Sequence, residues 1–231
     1  MGAAGTKPFY AEECSAILAS AFSSGRYPDP YMVTTSVNNS CTTGFSGTSS
    51  SVSVAGGVLA LALQANPSLT WRDMQHLIVQ SARQDTTDLN EAKWIRNAAG
   101  IKFSTTFGFG LLDALRLVQK AASWSPVGDQ RHCTSDELKE AITVQPQTAA
   151  SAAFMLLGGS GNCAIKSAEH VLLVVNMTAY RRGDIMAQLT SPSGTKVTIL
   201  EESRYDIALA GFENKAILSL ATWGENPQGI K

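Results

Sequence analysis

The feature that most constrains this chain is the run that follows Gly47-Thr48-Ser49. Residues 50–65, SSVSVAGGVLALALQA, are small or apolar at nearly every position, with Gly56 and Gly57 side by side. A helix that is apolar all round is a buried one, so the run predicts a helix through the centre of a domain. Adjacent glycines each cost about 1 kcal/mol relative to alanine in an exposed helix, so close packing is the expected reason for them. A small hydroxyl residue between tight-turn glycine chemistry and a helix N-terminus sits where the macrodipole favours developing negative charge. Ser49 is therefore the candidate nucleophile. As residues alone, Gly-Thr-Ser is also the composition of a turn plus an N-cap, and that reading stands beside the catalytic one.

From Ser49 onward the chain resembles the subtilisin-like serine peptidases, and more closely the kexin-type proprotein convertases. The segments that carry the resemblance are GFSGTSSSVSVAGGVLALAL, NPSLTWRDMQHLIVQSA and FGFGLLDALRLVQKA. A later block, HVLLVVNMTAYRRGDIMAQLTSPSGTKVTIL followed by GFENK and WGENPQG, is similar to the P domain that follows the catalytic domain in convertases. The resemblance runs from about residue 8 to residue 229. It implies an α/β subtilisin-like catalytic fragment over 1–125 and an all-β, jelly-roll-like P-domain sandwich over 126–231, both incomplete. It also implies a serine endopeptidase that, at full length, cleaves precursor proteins after basic residues in the secretory pathway and requires calcium. The alternative is a catalytically inactive fragment or pseudoenzyme acting as a binding or structural domain.

At 231 residues, 44% hydrophobic and 16% charged, the chain is long enough for one large or two small domains. A formal net charge of -1 with scattered basic residues leaves no electrostatic footprint for nucleic acid. The longest apolar stretch, 54–63, spans ten residues, against the roughly 20 that cross a bilayer, so no transmembrane segment is expected. The first residues, MGAAGTKPFYAEEC, lack a charged head followed by an apolar region, so no signal peptide is visible. For a convertase-like chain the expectation is then that Met1 is not the true start, or that an upstream catalytic segment is missing.

The local pattern predicts a loop at 23–30, a short strand at 31–35, and a helix from Thr70 with Asp73 completing a capping box and Met74, Leu77, Ile78 and Ala82 as its apolar stripe. His76 reads as an ordinary boundary histidine. Residues 84–102 read as a loop with little regular structure. Phe107-Gly108-Phe109-Gly110 reads as a backbone crossing point leading into a helix with Leu112, Leu115, Val118 and Ala122 on one face. A boundary is expected at 124–129, followed by strands at 171–175, 185–189 and 196–200, with a turn at 191–194. A sandwich that ends early leaves an unpaired edge and an exposed inner face.

Several residues depart from the convertase pattern. Ser36 stands where the family has an aspartate, Phe45 where it has a histidine, and Ser53 where it has a proline in the motif Gly-Thr-Ser-x-Ala/Ser-x-Pro. Loss of that proline is expected to loosen the backbone beside Ser49. Glu12, within AEEC, is a solvated acidic pair by its residues. By the resemblance it is one calcium ligand, and a six-to-eight-coordinate ion needs others.

Cysteine arithmetic pairs Cys14 with Cys41 and Cys133 with Cys163. The resemblance supports Cys133–Cys163 as the P-domain bridge. It assigns Cys14 and Cys41 to partners upstream, so both are expected to be unpaired or mispaired here. Asn38 and Asn176 head glycosylation sequons. Arg182-Gly183-Asp184 has the form of an adhesion tripeptide, and its setting reads as the entry to a strand.

A serine nucleophile needs a base, a carboxylate to orient it, and oxyanion donors. Of the 48 residues before Ser49, Asp29 is the one aspartate and none is histidine. His76, His132 and His170 all follow Ser49 and match no catalytic position of the family. The chain alone is therefore expected to be inactive.

Overall fold

The computed structural model describes residues 1–25, 29–84, 89, 93–135, 137, 142–145, 149–150, 152 and 165–228. The first regular element is a hairpin of β1 (Met32–Thr35) and β2 (Cys41–Phe45), with Thr34 opposite Thr42 and Thr35 opposite Cys41. Asn38 and Asn39 at its tip hold φ of 55° and 54°, the left-handed region that asparagine tolerates better than most side chains. β1 fulfils the strand expected at 31–35; β2 was not foreseen.

Helix α1 (Thr48–Ala65) follows directly. Its extent agrees with the sequence, but its environment does not. Only Ser50 and Ala62 are buried, while Val52 is 67% and Leu61 49% exposed. A methyl group built on Gly56 or Gly57 meets nothing within 4 Å, so close packing does not explain the two glycines here. The helix packs along one side only, through Ala62, Val58 and Leu59, onto the next two helices. Among the described residues nothing covers its other side. With 18 residues it is long and apolar enough, by length and composition alone, to cross a bilayer, a test that the core helix of a soluble protein also passes.

Helix α2 (Trp71–Ser81) starts where its cap predicts. The Thr70 hydroxyl accepts from the Asp73 N–H at 3.1 Å, and the Asp73 carboxylate accepts from the Thr70 N–H at 2.9 Å. Met74, Leu77 and Ile78 are buried against Ala62, and against Leu117 and Ala121 of helix α3 (Ala114–Ala122). The face of α3 differs from the expected one. Leu115 is 67% exposed and Leu117 is fully buried, because α3 begins at Ala114 and Leu112 lies before its first turn.

Between α2 and α3, part of the stretch expected to be irregular pairs as β3 (Ile95–Arg96) with β4 (Lys102–Phe103). The crossing-point reading of 107–110 is met in detail. Phe109 N–H donates to Leu18 O, and Leu111 exchanges two backbone hydrogen bonds with Arg83. Gly108 has φ of +62°, and a Cβ there would lie 2.5 Å from Ile17 O.

The second half is built from two antiparallel pairs. β5 (Val171–Met177) pairs with β8 (Phe212–Ser219), and β6 (Ala187–Thr190) pairs with β7 (Lys196–Leu200). Gly194, at φ of 91°, closes the expected 191–194 turn. β5 alternates, with Leu173 and Val175 turned to the core and Leu172 60% exposed. The principal core joins both halves: Phe103 and Phe109 pack with Val197, Ile199, Ile217, Leu220 and Trp223. The buried Asn97 adds a polar tie. Its Nδ2 donates to the carbonyls of Ala221 at 3.0 Å and Trp223 at 2.9 Å.

Candidate active site

Ser49 is the second residue of α1 and is exposed. The turn that delivers it depends on Gly47, which has φ of 82° and ψ of -177°, a conformation that essentially only glycine adopts without strain. No side chain caps the helix, so the first-turn N–H groups and the positive end of the helix dipole lie beside Ser49.

Behind it is a set of buried hydroxyls. The Ser23 and Ser50 hydroxyls lie 2.5 Å apart and 2.7 Å and 2.9 Å from the Gly47 carbonyl, so that with one proton each, one donates to the carbonyl and the other to either the carbonyl or its neighbour. The Tyr10 hydroxyl reaches Ser23 at 3.1 Å and donates to the Ser24 carbonyl. These contacts fix the Gly47 peptide, and with it the position of Ser49. Nothing in the sequence singled out Ser23 or Ser50.

Ser53 is the sixth residue of α1, in the second turn, and its hydroxyl donates to the Ser49 carbonyl at 2.9 Å, a bond back to residue i−4 of the kind that slightly weakens and often bends a helix. Ser36 and Phe45 lie just past β1 and at the end of β2.

Among the described residues the remaining parts of a catalytic set are not assembled at Ser49. His76 and His170 are engaged elsewhere. His76 Nε2 lies 2.8 Å from Glu169 Oε1, and both rings meet the Trp223 edge, at 5.0 Å and 5.7 Å between centroids. Glu12 is exposed, and its neighbour Glu13 pairs with Lys7 at 3.0 Å. Among the described residues no group of three or more His, Cys, Asp or Glu side chains could hold a metal ion. Glu12 alone does not fit the ligand number calcium requires.

Cys14 and Cys41 are free and exposed. Cys133 is disulfide-bonded, and Cys163 lies outside the described residues. Asn38 and Asn176 are both exposed. The Arg182-Gly183-Asp184 tripeptide is a short 3-10 turn with structural employment. Arg182 pairs with Asp206 at 2.6 Å and lies over the Phe212 ring, and buried Gly183 has Ser203 O where a Cβ would go, at 2.1 Å.

Sequence reasoning also missed the cluster that joins α2 to the second half. Asp73 is buried and accepts four hydrogen bonds, from the Thr70 N–H and hydroxyl, Trp124 Nε1 at 2.8 Å and Val127 N–H at 2.9 Å. Burial by itself raises its carboxyl, and these donors outweigh it, holding the group well below the usual carboxylate range. Arg72 donates through Nε to Glu169 at 3.0 Å and through Nη1 to the carbonyls of Val127 and Gly128. Burial also raises the Glu169 carboxyl, and the bonds from Arg72 and His76 override it and lower it. The signal available in advance was an Asp-Arg pair at the start of an amphipathic helix.

A subtilisin-like helix and turn bearing an exposed serine, joined to a β-sandwich unit, define a subtilase with an appended P domain, and the comparisons agree. The Subtilase family matches residues 10–110, and the Proprotein convertase P-domain matches residues 168–230. Proprotein convertase subtilisin/kexin type 5 of Rattus norvegicus is 40% identical over 227 residues, 97% of this chain and 12% of that protein. Furin-like protease 1, isoform 1-CRR, of Drosophila melanogaster is 38% identical over 97% of this chain and 20% of its own length. Type 4 of Homo sapiens is 38% identical over 98% of this chain and 30% of its own length. The solved serine protease of Aeromonas sobria, in complex with its chaperone, shares the fold with a TM-score of 0.74 and 22% identity, over 97% of this chain and 47% of that one. Over nearly its whole length the chain is similar to proprotein convertases of the subtilisin/kexin type, with a Subtilase segment followed by a P-domain segment, and it spans well under half the length of these curated relatives.

Proposed function

We propose that this chain is the C-terminal part of the catalytic unit, over 1–125, and part of the P domain, over 126–231, of a serine endopeptidase that cleaves precursor proteins after basic residues in the secretory pathway. Ser49 is the nucleophile. The observation that carries the reading is an exposed serine in the first turn of an uncapped helix, after a glycine in a conformation reserved for glycine. In a chain of the relatives' length, the base, its carboxylate and the oxyanion donor come from residues before Met1. Calcium, with Glu12 as one ligand, takes its other ligands from the same place. Cys133 bridges to Cys163, and Asn38 and Asn176 carry glycans.

The second reading is a non-catalytic binding product. It is favoured by Ser36 and Phe45 at positions where the family has an aspartate and a histidine, and by the engagement of His76 and His170 away from Ser49. Intact mass of the native product, with labelling by a serine-reactive fluorophosphonate, separates the two. A longer product labelled at Ser49, with label lost in Ser49→Ala, is expected. A product that begins at Met1 and stays unlabelled would falsify the peptidase reading for this chain.

A further inference from the structure

We propose that His170 is an acid-sensitive latch that holds the β5–β8 unit on the connector fastened to helix α2, closed when its ring is neutral and weakened when the ring takes a proton. The chain's three histidines all gather at this contact, which is far from obvious in the sequence, where 94 residues separate the first from the last.

The geometry requires a neutral ring. Gln130 Nε2 lies 3.1 Å from His170 Nδ1, and an amide nitrogen only donates, so Nδ1 carries no proton in this contact. The other side of the ring meets Trp223 edge-on at 5.7 Å. Every element packed here adds charge to the setting. Helix α2 supplies Arg72, Asp73 and His76, of which Asp73 is fully engaged with Trp124 and Val127. The connector supplies Asp129, near Arg72, and the exposed His132. The segment before β5 supplies Glu169, held by Arg72 and His76, and the exposed Lys166. Beyond Trp223, Glu225 is engaged with Thr195 and the Ala98 N–H.

A proton on His170 therefore arrives in a half-buried site whose one carboxylate neighbour is already neutralised. Burial lowers the affinity of His170 for that proton; Glu169 opposes this, while Arg72, His132 and His76 add to it. A histidine held below its ordinary value in the docked form takes up its proton on opening. The contact is thus at full strength above about 6.5 and weakens as pH falls from there towards the docked value, by at most about tenfold per pH unit for one proton. The Arg72–Glu169 pair stays charged throughout and keeps the opening local. None of this depends on Ser49 being active.

Amide hydrogen exchange on the whole chain tests the latch. The Leu220 N–H ties the β5–β8 unit to the first half of the chain by donating to Ser15 O at 2.8 Å, and its protection, taken relative to an unstructured peptide at the same pH, reports whether the unit stays docked. From pH 7.5 to 5.5 that protection is expected to fall several-fold in the parent chain and in His132→Asn, and to stay level in His170→Gln. If His170→Gln is already open, Gln130→Met decides: without the donor on Nδ1 the docked ring takes its proton more readily, and the fall becomes smaller. Level protection in the parent chain, an unchanged fall in His170→Gln, an undiminished fall in Gln130→Met, or an equal loss at the Leu77 amide inside α2, which means global unfolding, overturns the proposal.

Discussion

At the residue scale, Asp73 shows how one side chain turns a helix start into a junction. All four of its partners donate, so only a carboxylate has acceptors enough. Asp73→Asn keeps the shape and replaces one acceptor oxygen by a donor that faces donors. Charge-assisted hydrogen bonds contribute about 1.5–3 kcal/mol each, so the variant is expected to lose about 3 kcal/mol or more in urea unfolding at neutral pH. The sign with pH follows from a folded-state value held below the unfolded one. The stabilisation is complete above about 3.9 and is lost as pH falls through the lower folded value, so the gap between parent and variant should narrow in acid. A gap that is small, or constant with pH, would show that Asp73 is not the ionised hub of this junction.

At the element scale, sequence and structure agree wherever a rule acts over one turn or one strand. The Thr70–Asp73 cap, the α2 stripe and the 191–194 turn were legible because each is fixed by nearby residues, and the 107–110 crossing because its glycines mark a close approach even though the partners, Leu18 and Arg83, are distant in sequence. The surroundings of α1 were not. An all-apolar helix implies a covering layer, and no described element forms one on its outer side. The shift of the buried face on α3 has a smaller cause, a start at Ala114 that the Leu112 periodicity did not reveal. Of the candidate site, the serine and its turn were legible, while the Ser23–Ser50 support was not, because it joins side chains 27 positions apart. The glycines make the contrast measurable. Gly56 is helical with open space around its Cβ position, and Gly108 has none. Gly56→Ala is expected to stabilise this chain by about 0.5–1 kcal/mol. Gly108→Ala should destabilise it by more than that, since it combines positive φ with contact on the 17–18 backbone. Paired thermal melts check both; a lower melting temperature for Gly56→Ala would mean that something does cover α1.

At the scale of the whole molecule, the two family segments share one core rather than meeting at a polar seam. Phe103 and Phe109 belong to the subtilase half, and Val197, Ile217 and Trp223 to the P-domain half, yet they form a single buried cluster. The sandwich unit therefore supports the catalytic half by supplying part of its interior. The cysteines follow a different logic. Cys133 is bonded, whereas Cys14 and Cys41, both ahead of the nucleophile in sequence, are free and exposed. Exposed thiols that a fold does not use remain open to reagent without unfolding. Thiol titration of the chain is expected to give two reactive groups per molecule under native, non-reducing conditions, with no further group released by denaturant alone. Peptide mapping should place both labels at Cys14 and Cys41. A homogeneous monomer with no reactive thiol would instead require these two cysteines to be bonded, and the β1–β2 hairpin that carries Cys41 to move toward Cys14 from its present register with Thr35. A third or fourth thiol appearing in denaturant would remove the Cys133 bridge, and with it the covalent tie of the connector that brings Gln130 and His132 to the contact with α2.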